Sequence, residues 1–209
     1  MFKRALIWAA LVATVTTASV KAQQVPSTNS ANSAYPQKFV IPGTGYELVL
    51  GTATFSQKEN ADILLTALTF WIAEKSGLPA NYELPKLAFV SAARMVEIRY
   101  KSLFGAQGAS TGGANSGQRE TLAIYDDATR TIYLRDNWTG QTPAELSILI
   151  HDLVHHLQNL AQIKHECPLE RERLAYRVQN QWLWLFDSDL SRDFDIDPFT
   201  LLVTTGCGY

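Results

Sequence analysis

The chain has 209 residues, with 18 Lys and Arg against 20 Asp and Glu and a net charge of −2. That balance gives no basic field for nucleic acid or an anionic lipid surface, so neither is expected as a partner. With 46% apolar residues, the length suits one domain built on one substantial core.

Met1-Phe2-Lys3-Arg4 is a short cationic start, Ala5 to Val20 is an uncharged apolar run, and Val20-Lys21-Ala22 offers small residues where a signal peptidase cuts. The run is shorter than the ~20 residues of a spanning helix and is diluted by Thr14, Thr16, Thr17 and Ser19. Residues 1–22 therefore read as a cleaved signal peptide rather than an uncleaved anchor. The expectation is a periplasmic or secreted protein with no stable membrane anchor. Its mature part would have 187 residues, 15 basic and 20 acidic, and a net charge of −5.

Residues 23–37, rich in Gln, Ser, Asn and Ala, read as a flexible tail, and 38–209 as the single domain. Phe39 to Ile41 and Tyr46 to Leu50 are strand candidates divided by the turn signal Pro42-Gly43. Asn60 to Ser76 predicts a helix with Ile63, Ala67, Phe70 and Trp71 on one stripe and Gly77 as its stop. Lys86 to Ser91 reads as a strand and the stretch to Phe104 as helical or mixed. Gly105 to Gln118, five of whose fourteen residues are glycine, reads as a mobile loop. Thr121 to Tyr125 and Thr131 to Leu134 are strand-like, with turn chemistry at residues 126–130, and predict a hairpin.

The best-signalled helix follows. Thr142 is a cap residue, Pro143 fits the first helical position, and Glu145 completes a capping box. Leu146, Ile150, Leu153, Leu157 and Leu160 form its apolar stripe. A second helix is expected from about Leu169 to Phe186, with irregular acidic structure around Asp187 to Asp197. Glu172, Ala175, Tyr176, Gln179, Leu183 and Phe186 share one stripe of that helix, whereas Glu170, Arg171, Arg173 and Arg177 read as solvated surface.

All four histidines lie between positions 151 and 165. His151 and His155, four apart, put two imidazoles on one face a turn apart, where they can share a metal ion. Neutral imidazole suits zinc, which needs a third protein ligand. Glu172 is the candidate: an inward carboxylate is costly to bury, and a metal removes that cost. His165 is an alternative third ligand. His156 is a supporting or surface residue, and Tyr176 and Gln179 are candidates to support the ligands from the glutamate helix.

Cys167 and Cys207 are the only cysteines, and in an exported chain pairing is the default. Two free thiols, or a metal pairing through Cys167, are the alternatives.

The strand Thr131 to Leu134, the run His151-Asp152-Leu153-Val154-His155-His156-Leu157-Gln158 and the later Glu172-Arg173-Leu174-Ala175-Tyr176 together resemble the core of the zincin metallopeptidases over residues 120–186. The downstream glutamate makes the chain similar to their gluzincin branch in a small form. The resemblance implies an α+β fold: a small antiparallel or mixed sheet, an active-site helix and a glutamate helix. It implies His151, His155 and Glu172 as zinc ligands, a strand beside the cleft that takes extended peptide, and hydrolysis of a peptide or protein substrate. The family's catalytic glutamate is here Asp152, one methylene shorter, so its oxygens sit about 1.5 Å further back. A displacement near 1 Å can cost on the order of 10²-fold in rate. The spacing from His155 to Glu172 is also short for the family. A His-Asp phosphohydrolase is set aside, because no histidine precedes position 151. Two further alternatives are a retired zincin-fold envelope protein and a metal-free binding module with Trp182, Trp184 and Phe186 at its docking end.

Overall fold

In a computed structural model, residues 38–50, 58–81, 83–104 and 122–207 are described. The expected signal peptide, tail and glycine-rich loop lie outside them. Two short strands open the described chain, β1 (Lys38–Val40) and β2 (Glu47–Val49), antiparallel with Phe39 opposite Leu48. Gly43 and Gly45 turn the chain with positive φ (78° and 68°), a conformation glycine adopts without steric cost. Thr44 Oγ1 locks the turn by donating to the Ile41 carbonyl at 2.9 Å.

Helix α1 (Lys58–Ser76) stops where expected, at Gly77 with φ 78°. Its buried face differs from the expected stripe. Leu64, Leu65, Leu68, Trp71 and Ile72 are in the core, whereas Ile63 and Phe70 are 53% and 58% exposed. The helix is apolar around most of its circumference, so periodicity alone leaves the inward side open and packing selects it.

Strand β3 (Lys86–Val90) leads into α2 (Ala92–Phe104), and β4 (Ala123–Asp126) and β5 (Thr131–Arg135) form the expected hairpin. Asp126 Oδ1 accepts from the Ala128 and Thr129 amides, fixing the turn. The sheet order is β3-β5-β4, with β3 parallel to β5 and Lys86 opposite Thr131. The strand Thr131–Arg135 is thus central, and β4 is the one beside the next helix.

That helix, α3 (Pro143–Leu160), has the expected capping box: Thr142 Oγ1 accepts from the Glu145 amide at 3.1 Å, and Glu145 Oε2 accepts from the Thr142 amide at 3.3 Å. It is buried on nearly every side. Leu146, Leu149, Ile150, Leu153, Val154 and Leu157 are all fully buried, against α1, α4 (Glu170–Trp184), β4 and β5. Apolar burial on this scale is the main favourable term in folding, and it holds the polar side chains of α3 in fixed places. Trp182 joins α4 to the start of α3 by donating from Nε1 to the Pro143 carbonyl at 3.0 Å, and stacks edge-on against Trp71. Of the three late aromatics, Trp182 is core and Phe186 packs against it, but Trp184 is 61% exposed.

The expected irregular end is instead two short helices, α5 (Leu190–Phe194) and α6 (Pro198–Thr205). The acids there are caps: Asp189 accepts from the Arg192 amide and Asp197 from the Thr200 amide, both at 2.8 Å. The described chain is thus mixed α+β, with two small sheets and six helices.

Candidate metal centre

His151 and His155 project from consecutive turns of α3 toward the first turn of α4, where Glu172 sits. A helix N-terminus favours a carboxylate. The three side chains converge. His151 Nε2 lies 3.1 Å from Glu172 Oε2, His155 Nε2 lies 3.3 Å from the same oxygen, and the two Nε2 atoms are 3.1 Å apart. Ligands held at 2.0–2.1 Å by a tetrahedral ion stand about 3.3 Å from one another. The spacing therefore fits a shared cation, and the trio could hold a metal ion.

The opposite ring nitrogens explain why the lone pairs point inward. Ser147 Oγ donates to the Ala144 carbonyl at 2.7 Å and accepts from Gln179 Nε2 at 3.1 Å. That fixes the Gln179 amide, whose Oε1 faces His151 Nδ1 at 3.0 Å and accepts its proton. Gln158 Nε2 donates to the Arg171 carbonyl at 3.0 Å, turning its Oε1 to His155 Nδ1 at 3.0 Å. Both imidazoles are thereby set as Nδ1–H tautomers with Nε2 lone pairs directed at one point. Arg171 Nε also lies 3.3 Å from His155 Nδ1, but a nitrogen already donating to Gln158 cannot accept there, and the shorter contact prevails. Two lone pairs and a carboxylate oxygen around one point repel one another unless a cation or protons intervene.

The electrostatics carry the same signature. Where protons rather than a cation intervene, burial alone would raise Glu172, yet hydrogen bonds from His151 and His155 and their charge outweigh it and hold its carboxyl well below the usual range. Burial would lower His151, but the bond to Glu172 and its charge prevail, so the imidazole is raised. The side chains of His151, His155 and Glu172 are 16%, 8% and 30% exposed, so the centre is open on the Glu172 side.

Asp152 is 5% exposed, and its Oδ2 is buried without a hydrogen-bond partner among the described residues. Burial raises its carboxyl to about 6 against the opposing charges of His151 and His155. Tyr176 lays its ring edge-on to His151, 4.6 Å between centroids. Gln179 supports His151 directly.

His156 does not support the ligands. It is buried against β4, its ring nitrogens 3.1 Å from the Tyr125 hydroxyl and 2.7 Å from the Glu83 carbonyl. His165 stands outside the trio. Arg171 is not free surface: it is half-buried, in a two-pronged ion pair with Asp127 at 2.8 and 3.0 Å. Sequence reasoning missed Ser147, Gln158 and Arg171 as supports. Their signal is helical spacing, since Ser147 and Gln158 are four before His151 and three after His155.

Cys167 and Cys207 form a disulfide, with Cα atoms 5.7 Å apart. It ties the end of α6 to the connection five residues ahead of Glu172. Closing a loop of this size contributes roughly 4 kcal/mol in the chain-entropy model. Such a bond indicates an oxidising, non-cytoplasmic environment. No helix among the described residues is long and apolar enough to cross a membrane.

No curated protein and no solved structure matches the chain. A family model does match, over residues 57–209, and the chain accordingly belongs to the family described as Domain of unknown function (DUF6647).

Proposed function

We propose that this protein is an exported zinc-dependent hydrolase of zincin type, acting on a peptide bond. The observation that carries the reading is the convergence of His151 Nε2, His155 Nε2 and Glu172 Oε2 within 3.1–3.3 Å, with each histidine oriented by a glutamine. Two histidines one turn apart on a helix, a glutamate from the next helix and a small sheet beside them support the reading, since the zincin resemblance implies these features. Nitrogen and carboxylate donors in this number suit zinc. Bound zinc supplies Lewis acidity and brings the pKa of a coordinated water toward neutrality.

The chain's residues divide the remaining work. Gln158 and Gln179 keep both imidazoles in the ligating tautomer. Asp152 follows His151 on α3 and is the carboxylate proposed to take the proton at Oδ2. Tyr176 restricts the movement of His151. Extended peptide would pair with the β4 edge, because β5 has a neighbour on each side.

A second reading is a zincin-fold envelope protein that retains the metal but has lost turnover. The shorter acid and its burial, 5% exposed, favour it. Cleavage of a mixed peptide library by zinc-loaded protein separates the two. In an enzyme, Asp152→Asn retains zinc and loses 10²-fold or more in turnover, about the worth of a general base. A zinc-bound wild type without cleavage that gains it as Asp152→Glu is the retired form. Cleavage untouched by Asp152→Asn contradicts the proposed base.

A further inference from the structure

The chain is acidic overall, yet one face of α4 reverses that sign. Arg173 and Arg177, one turn apart, form the shared wall of two cavities of about 440 and 420 Å³. In the first, Lys164 and His165 join them over an apolar floor of Leu78 and Leu174. Its one acid, Glu170, is turned to the backbone, where it accepts from the Glu166 amide at 2.6 Å. The second cavity runs between α4 and α6, and no acid is among the described residues that line it. Asn180, Gln181 and the exposed indole of Trp184 line it, together with Tyr176, whose ring touches His151.

Arg173 makes one long bond, to the Thr205 carbonyl at 3.4 Å. Lys164 and Arg177 have no hydrogen-bond or ion-pair partner among the described residues. Three cations therefore face a two-lobed groove in which the only carboxylate among the described lining residues, that of Glu170, is engaged elsewhere. Cations beside apolar and aromatic surface match a ligand that carries carboxylates and apolar side chains together. Two lobes along a helix favour a chain over a single small anion, which would fill one lobe only. Nucleic acid fits poorly, since a net charge of −2 leaves no wider basic field to track a phosphate backbone.

We propose that this α4 groove binds an acidic, partly apolar peptide segment, whose carboxylates meet Arg173, Arg177 and Lys164 and whose apolar side chains meet Trp184 and the Leu78–Leu174 floor. None of His151, Asp152, His155 or Glu172 lines either cavity, so binding requires neither metal nor turnover, and its test is separate from that of hydrolysis.

The experiment is fluorescence anisotropy at low salt, with a labelled decapeptide of alternating Glu and Leu and its Gln-Leu and Lys-Leu counterparts. The Glu peptide should bind at least tenfold more tightly than the others. R173A/R177A should weaken it at least tenfold; alanine is a good helix residue, so α4 should persist by circular dichroism. Lys164→Ala, outside any helix, should weaken it by a smaller factor even if the double variant misfolds. R173K/R177K should retain most binding, and Arg94→Ala on α2 all of it. Equal binding of the Glu and Gln peptides overturns the proposal, as does affinity indifferent to both Lys164→Ala and R173A/R177A. Tighter binding of a single-stranded oligonucleotide through the same arginines also overturns it.

Discussion

His155 and His156 are neighbours on α3, yet they serve different faces of it, about 100° apart round the helix. His155 gives Nδ1 to Gln158 and leaves Nε2 facing His151 and Glu172. His156 has both nitrogens engaged by protein, the Tyr125 hydroxyl on one side and the Glu83 carbonyl on the other. A histidine satisfied at both nitrogens has no lone pair for a metal and works as a pin between helix and sheet. A histidine satisfied at one, and aimed at two other donors, is a ligand in waiting. The difference lies in the partners rather than in burial, since His155 and His156 are 6% and 1% exposed.

The sharpest way to break this contrast is to remove a donor from one face only. Glu172→Ala should lower metal affinity by about 10³-fold or more, because it removes a charged ligand and leaves two imidazoles. Isothermal titration with zinc reads this directly, and an unchanged affinity would assign the third ligand elsewhere. Next in size are the glutamines. Gln179→Leu and Gln158→Leu leave all three donors in place but release the tautomers, and each should cost 10–100-fold in affinity. Wild-type affinity in both variants would mean that the rings are held by packing alone. The smallest effect on metal should come from the other face. His156→Ala takes the acceptor from the half-buried Tyr125 hydroxyl, which keeps Asn159 Nδ2 as its donor, and the donor from the Glu83 carbonyl, at a cost of about 1–3 kcal/mol in urea unfolding. Zinc affinity should stay within about threefold of wild type, the scatter expected for a residue that supports no ligand. A folded His156→Ala protein that has lost zinc would erase the distinction between the two faces.

Much of this centre was legible in the sequence because its parts are local. A capping box, a four-residue histidine spacing and an inward glutamate are each read within one or two turns of helix. The cysteine pair was legible from parity and the expected export signal. What stayed hidden depends on contacts between distant segments. Gln179 reaches Ser147 across 32 residues, and Gln158 reaches the Arg171 carbonyl across the α3–α4 connection. Periodicity could place Gln179 on the inward stripe but not say which atom it would hold. Arg171 read as surface because its partner Asp127 lies 44 positions away, on the hairpin turn. The inward face of α1 was ambiguous for the opposite reason, an excess of apolar residues. Asp189 and Asp197 read as loop, although their chemistry is that of caps; the helices they start are too short for a periodic signal.

The central claim is one metal ion held by two imidazole nitrogens and one carboxylate oxygen, and X-ray absorption on zinc-loaded, desalted protein tests it most directly. One zinc per chain should remain. Its first coordination sphere should contain only nitrogen and oxygen at about 2.0–2.1 Å, with the outer-shell scattering of two imidazole rings. Sulfur is not expected, since both cysteines are in the disulfide. A protein that retains no zinc, or whose zinc shows sulfur at about 2.3 Å or a single imidazole, would contradict the claim.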